Sequence, residues 1–338
     1  AAKNSISLCA NILMGPETGA CLCNGSHNIA MGQYTMRGSS TVSANTAAGN
    51  VALGQNALAV ISSGGYNVAL GNAVGEDLTT GNDNVLIGRQ AGKNATTGAC
   101  NIAIGRNAMS SGVVTGNNNI ALGCCTGECI TSGYCNVFMG VTAGKRTTTG
   151  YENIALGTYA LSGAGGGDIT GRQNIALGKE AGCNITSGNY NIVFGRRAMA
   201  SASSPITGSE NVSIGTETLR WITSGGCNIA LGNSAGTNIT TGTFNIALGS
   251  NAGQADNDGQ YQTFVGYRAG FCMQGDTNIA IGKCTLSGST TASNNTGNCN
   301  IALGDSAGKS LTSGIRNIFI GKDTACGATI TGDYNIAL

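Results

Sequence analysis

One short motif recurs along almost the whole chain, and it limits the folds available more than any other feature. Its anchors are Asn11, Asn28, Asn50, Asn67, Asn84, Asn101, Asn119, Asn136, Asn153, Asn174, Asn191, Asn211, Asn228, Asn245, Gln262, Asn278, Asn300, Asn317 and Asn335. A β-branched residue follows each anchor, then a small or apolar residue, then Leu, Ile, Met, Phe or Val; all but the last unit continue with Gly. Successive anchors lie 17 residues apart in eleven of eighteen steps, the others being 16, 18, 18, 20, 21, 22 and 22. Residues 174–190, NIALGKEAGCNITSGNY, are a clean copy.

Seventeen residues are too few for a helical hairpin repeat, which needs more than about thirty. They suit one coil of a β-solenoid, with short strands joined by tight turns. The fold class expected is therefore all-β: a parallel β-solenoid or β-roll of about nineteen 17-residue coils. Single coils bury too little to fold, and stacking makes a continuous core. At a strand spacing of about 4.8 Å, nineteen coils make a rod of roughly 90 Å. Alternation places Ile175 and Leu177 on one face of the strand and Asn174 and Ala176 on the other. The Ile/Leu face is expected to line the coil interior, with Ala181 and Ile185 opposite. Gly178 and Gly188 read as strand-end turns requiring positive φ, and Ala181-Gly182 as a third corner.

The array reads as one domain, 1–338, and as a piece of something longer, since it stops inside a repeat. Insertions are expected near 37–48, 162–170, 200–207 and 287–296. Each follows a unit in which a larger residue replaces the corner Gly: Met36, Leu161, Met199 and Leu286. Losing that Gly is expected to let the chain bulge outward. This is a tendency only, because Leu58, Met109 and Leu219 carry no comparable insertion.

Composition narrows the function classes. Gly supplies 56 residues but Pro only 2, which excludes collagen. Charged residues are 10% and the net charge is +1, so no global field draws the chain to nucleic acid. No run of eighteen apolar residues exists to span a bilayer as a helix. Catalysis has poor material. His27 is the one histidine, so a His-pair metal site is excluded and a Ser-His-Asp triad is disfavoured. Carboxylates such as Glu152, Asp168 and Glu210 are scattered, whereas glycoside hydrolysis needs a facing pair. No cofactor motif is present. The chain reads as a non-enzyme.

Several columns are candidates for recognition. The anchor amides, among them Asn84, Asn101, Asn119, Asn136, Asn153, Asn174, Asn191, Asn228 and Asn245, suit a hydrogen-bonded ladder along the stack. Carbohydrate contact is the alternative for them. Thr80, Thr97, Thr115, Thr149, Thr170, Thr241, Thr296 and Thr331 precede turn glycines, with Ser132, Ser187, Ser224 and Ser313 in the same slot. Turn chemistry explains that column, with a hydroxyl array for ice or sugar as its rival. Arg89, Arg106, Lys179, Arg196, Lys283 and Lys322 directly follow the motif Gly. They form either a solvated turn position or a positive stripe for surface contact with acidic polysaccharide.

Cys100, Cys135, Cys227 and Cys299 precede anchors, in a slot that Tyr66, Tyr190, Phe244, Tyr261 and Tyr334 also use. Alternation puts this slot on the Ile/Leu side, so these thiols are expected to be small buried hydrophobes. Cys124, Cys125, Cys129 and Cys135 lack the paired spacing of a zinc knuckle. Asp256-Asn257-Asp258-Gly259 lacks the Glu of a calcium loop and reads as a turn.

The pattern Thr-Gly-x-x-Asn-Ile-Ala-Leu-Gly-x-x-Ala-Gly covers nearly the whole chain, and segments 79–92 (TTGNDNVLIGRQAG) and 240–253 (TTGTFNIALGSNAG) carry it best. It resembles the head repeats of YadA-type trimeric autotransporter adhesins. It is also similar to repeats of phage tail-fibre-like and bacterial surface proteins. The 17-residue period departs from the shorter adhesin-head period. The resemblance implies a parallel β-roll, a homotrimer, and projection from a virion or a cell surface. The function expected is a structural or adhesive fibre that mediates attachment, with cell-surface polysaccharide as a ligand. A bacterial adhesin or extracellular filament subunit is the alternative, and an ice-binding solenoid or tailspike hydrolase ranks lower.

Overall fold

The computed structural model describes residues 10–38, 45–201, 204–255, 258–288, 295–327 and 329–338. The described residues are all-β, without helix, and form a parallel β-solenoid with turns of roughly 17 residues. The chain divides into two compact units, 1–172 and 173–338. The first carries nine strands, from β1 (Ile12–Met14) to β9 (Ile154–Leu156); the second carries ten, from β10 (Ile175–Leu177) to β19 (Ile336–Ala337).

Within each unit, consecutive strands pair in parallel and without slippage. Val68 sits on Val85 and Leu70 on Ile87; Ile229 sits on Ile246 and Leu231 on Leu248. A weaker line of bridges runs along the opposite wall, as in Ala95 with Val114 and Ile185 with Ile206. Of the expected insertions, 39–44, 202–203 and 289–294 lie outside the described residues, as do Asp256 and Asn257. The insertion at 162–170 is described: Gly166 N–H bonds Gly163 O at 2.9 Å, and Arg146 pairs with Asp168 at 2.7 Å.

Four left-handed residues bend each 17-residue coil, and coils with insertions add glycines such as Gly38, Gly163 and Gly288. In the copy at 174–190 they are Gly178 (φ 131), Glu180 (φ 59), Gly182 (φ 58) and Tyr190 (φ 58). A non-glycine residue resists this conformation by roughly 1 kcal/mol or more. Bonds between coils hold the equivalents in place, as when Gln90 N–H donates to Asn72 O at 2.9 Å and Cys100 N–H to Asn82 O at 3.0 Å. Gly188 is not a left-handed residue; a Cβ there would lie 2.3 Å from Gly208 O of the next coil. Its slot is set by close stacking, not by φ.

The strands face the opposite way to the expectation. The Asn and Ala columns point inward and the Ile and Leu columns point out. Asn67, Ala69, Asn119 and Ala121 are wholly buried, whereas Ile104, Ile229 and Leu231 are 37–40% exposed. The reason is the thinness of the coil. The Asn67 amide reaches across it to Gly81 O at 2.9 Å, so there is room for one side chain between the walls. Two branched side chains per strand would not fit beside it.

Volume is balanced between coils. Where Phe138 or Phe264 replaces the inward Ala, the corner residue is Gly144 or Gly270, and a Cβ there would come within 2.5 Å of the ring. Where Met36, Leu58, Met109 or Leu161 takes the corner, the strand residue is Ala. Those corner side chains are buried and point inward, so losing the corner Gly does not itself expel the chain. Met36 and Leu161 keep the left-handed conformation (φ 45 and 43), and the inserted residues come after them. Coils with both Ala and Gly, such as 67–83, accept leaning neighbours: Leu58 and Leu86 both approach Gly75. Each fully buried Leu or Phe contributes roughly 1.5–3 kcal/mol.

Candidate functional site

The outward strand face is the largest repeated surface of each unit. One column holds Ile, Val or Thr and the next Leu, Ile, Met, Phe or Val, with no charged residue at either position in any strand. Of the eighteen positions in the first unit, seven are exposed and eleven half-buried. Contiguous exposed apolar surface of this kind is uncommon on a monomer.

Two rims border the face. The slot before each anchor is left-handed and turned to solvent. Tyr66 is 70% exposed there, and Phe244 and Tyr261 stack with ring centroids 5.2 Å apart. Cys100, Cys135 and Cys299 are exposed and Cys227 is half-buried. The expectation of buried thiols is thus corrected: alternation assigned them to the right side of the strand, but that side is solvent. His27 occupies the same rim and is exposed.

The opposite rim follows the strand. Arg89, Arg106, Lys179, Arg196, Lys283 and Lys322 all stand there and are exposed. Their partners are few. Arg106 donates to Cys124 Sγ at 3.5 Å, and Lys179 lies 3.7 Å from Glu180. The Arg106 contact draws the Cys124 thiol below its ordinary range. Cys124 and Cys125 bring their sulfurs to 3.5 Å at this corner, while Cys135 belongs to the other rim. Among the described residues no three His, Cys, Asp or Glu side chains are grouped to hold a metal ion.

The anchor amides lie away from this face, inside the coils. Asn119 shows the pattern. Its Nδ2 donates to Asn101 Oδ1 at 3.1 Å and to Gly133 O at 2.9 Å. Its Oδ1 accepts from the backbone N–H and Nδ2 of Asn136, at 3.1 and 3.0 Å. Asn84, Asn101 and Asn136 repeat the bond from backbone N–H to the preceding Oδ1, and Asn153 repeats it on Asn136. In the second unit Asn191, Asn228 and Asn245 do the same, while Asn174 donates to Gly188 O at 2.9 Å. Buried and mutually bonded, these amides are out of reach of a ligand. Gln262 breaks the pattern, since its Nε2 finds no partner among the described residues.

The Thr and Ser column before the turn glycines is exposed throughout, from Thr80 to Thr331. The hydroxyl one residue earlier does structural work: Thr79 Oγ1 donates to Thr96 O, and Thr131 Oγ1 to Thr148 O, each at 3.0 Å. At the corners, Lys93–Glu76, Lys145–Glu128 and Arg197–Glu180 pair neighbouring coils at 3.6, 3.2 and 2.7 Å. Exposed pairs of this kind contribute less than about 1 kcal/mol each.

Sequence reasoning missed the outward apolar face because it placed Ile and Leu inside. The available signal was the inward position itself, which is Ala in most coils; of its larger residues Leu86, Phe138 and Phe264 stand opposite a corner Gly, whereas Phe319 stands opposite Ala325 and Val193 opposite Met199. No model of a known protein family matches the chain, and no curated protein matches it. No helix among the described residues is long and apolar enough to cross a membrane.

Proposed function

We propose that the chain is a structural and adhesive segment of a fibre or spike, such as a viral tail fibre or similar appendage, that mediates attachment to a surface. The observation that supports this reading is the outward face. The same two apolar columns return in coil after coil at the strand spacing, bordered by a rim that carries Arg89, Arg106, Lys179, Arg196, Lys283 and Lys322. A surface that repeats along a stack suits an extended or repetitive partner better than a single small molecule. The basic rim suits acidic polysaccharide, and salt should weaken that contact.

Assembly as a homotrimer and a place on a virion or cell surface belong to the same proposal, on the strength of the repeat resemblance. No catalytic step is assigned to the chain. The test is retention of purified protein on intact cells and on immobilised neutral and acidic polysaccharides. Saturable, salt-sensitive retention supports the reading, and absence of retention on all of them retires it. Release of reducing ends from the same polysaccharides would replace it with a hydrolase. A bacterial adhesin or extracellular filament subunit would use the same face, and immunogold labelling of the native source separates the two.

A further inference from the structure

We infer that the adjacent thiols of Cys124 and Cys125 are an oxidation site, at which hydrogen peroxide converts Cys124 to a sulfenic acid and Cys125 closes it to a disulfide. The site lies in the first unit, at the corner that follows β7 (Ile120–Leu122), and is independent of the attachment reading. Three observations carry it. The first is contact: the two sulfurs lie 3.5 Å apart, one already seated against the other. The second is charge. Arg106, from the preceding coil, brings its guanidinium to 3.5 Å from Cys124 Sγ. A neighbouring cation favours the thiolate, which is the nucleophile. That contact is the main reason the Cys124 thiol is drawn below its ordinary range, whereas burial pushes the Cys125 thiol up. Cys124 is therefore the attacking group and Cys125 its protonated neighbour. The third is access. Both thiols are half-buried at a corner, while Cys23 and Cys183 are sealed inside the coils. A reachable thiolate beside a second thiol is the arrangement of a reversible redox site.

The Cys124 thiolate attacks one peroxide oxygen. The O–O bond breaks, and the departing hydroxide takes a proton to become water, leaving the sulfenic acid. Cys125 Sγ then attacks the Cys124 sulfur. The S–O bond breaks, and the hydroxyl leaves with the Cys125 thiol proton as a second water. Two thiols and one peroxide yield one disulfide and two waters. A trans peptide holds neighbouring Cα atoms about 3.8 Å apart, and disulfides usually span about 4.4–6.8 Å. The ring must therefore bend the corner, and a strained bond of this kind is readily reduced again. Two bonds between coils flank it: Cys125 N–H to Arg106 O at 2.9 Å and Thr142 N–H to Cys124 O at 3.0 Å. Cys227 is the internal comparison. It is half-buried as well, but its sulfur lies 3.6 Å from a Glu210 carboxylate oxygen, and burial with that carboxylate pushes its thiol up.

The experiment treats the reduced full chain with hydrogen peroxide near neutral pH, blocks the remaining thiols with a maleimide, and maps them by mass spectrometry of the digest. The peptide holding Cys124 and Cys125 is expected to lose about 2 Da, about tenfold or more faster than Cys227 is oxidised, and dithiothreitol should reverse the change. Cys125→Ser should fold, because Thr142, Ser234 and Ser306 hold the same left-handed slot in other coils. In that variant Cys124 should stop at a sulfenic acid that dimedone traps. Arg106→Gln, at an exposed position, should slow oxidation of Cys124 about threefold or more with the circular dichroism unchanged, and Arg106→Lys should recover part of the rate. Oxidation of Cys124 no faster than that of Cys227 overturns the inference, as does a rate untouched by Arg106→Gln. A disulfide mapped to Cys129 or to a second chain overturns the role of Cys125.

Discussion

Replacing Asn119 with Ala should destabilise its coil far more than the loss of one small polar side chain suggests. The change removes the bonds from Nδ2 to Asn101 Oδ1 and Gly133 O, and the acceptor used by Asn136. Asn101 Oδ1 keeps the Asn119 backbone N–H at 2.9 Å, and Asn136 Nδ2 keeps Gly150 O at 2.9 Å. Two buried backbone groups are orphaned: the Asn136 N–H and the Gly133 carbonyl. An unmade hydrogen bond at a buried group costs about 1–3 kcal/mol, so the sum is about 2–6 kcal/mol. The assay is urea unfolding followed by far-ultraviolet circular dichroism. Amide exchange at coils 101–150 localises the loss, because repeat arrays open locally. Exposed Thr115→Ala is the control, expected to change stability by less than about 0.5 kcal/mol. Asn119→Asp retains the acceptor but turns a lone pair on Gly133 O; it should be destabilised at neutral pH and partly rescued by acid, which protonates the carboxyl. A loss below about 1 kcal/mol for Asn119→Ala would refute the ladder as a determinant of the stack.

Other outcomes follow from single positions. Gly116→Ala brings a Cβ within 1.8 Å of Gly133 O and should cost at least about 3 kcal/mol by thermal or urea melting. Gln262→Asn should stabilise the second unit by about 1 kcal/mol, because it offers the turn carbonyl a donor where Nε2 now has no partner. Burial pushes the Cys183 thiol up from its ordinary 9.0 to about 11. The folded chain therefore holds the neutral form while the unfolded chain ionises, so stability should fall as pH rises from about 9 towards 11. The loss is about 2 kcal/mol, and Cys183→Ala should remove that part of the slope. Under native conditions Cys100, Cys135 and Cys299 should react with a maleimide within minutes while Cys23 and Cys183 stay protected, as mass spectrometry of the digested protein would show.

The period, the strand positions and the stacking of equivalent anchors were legible in the sequence, because each depends on spacing alone. So was the outward place of the basic column, as a turn position after the motif Gly. Which face of the strand turns inward was not legible from hydropathy. The usual rule puts Ile and Leu inside; here the buried Asn pairs with its own kind from coil to coil, so a polar column carries no burial penalty. Coil thickness decides the matter, and it depends on left-handed corners at non-glycine residues such as Glu180 and Tyr190, which no residue type announces. The exposed thiols followed from the same inversion. Phe138 and Phe264 offered a clue, since each stands opposite a corner Gly, Gly144 and Gly270, although Phe319 stands opposite Ala325.

The most direct measurement is hydrogen exchange of the Asn side-chain amides by NMR. If the anchors line the interior, the NH₂ groups of Asn67, Asn84 and Asn101 exchange as slowly as the strand backbone amides, through opening of the stack, while those of exposed Asn72 and Asn233 exchange at the free rate. Anchor amides that exchange as fast as Asn72 would place that column in solvent, contradicting both the ladder and the outward Ile/Leu face.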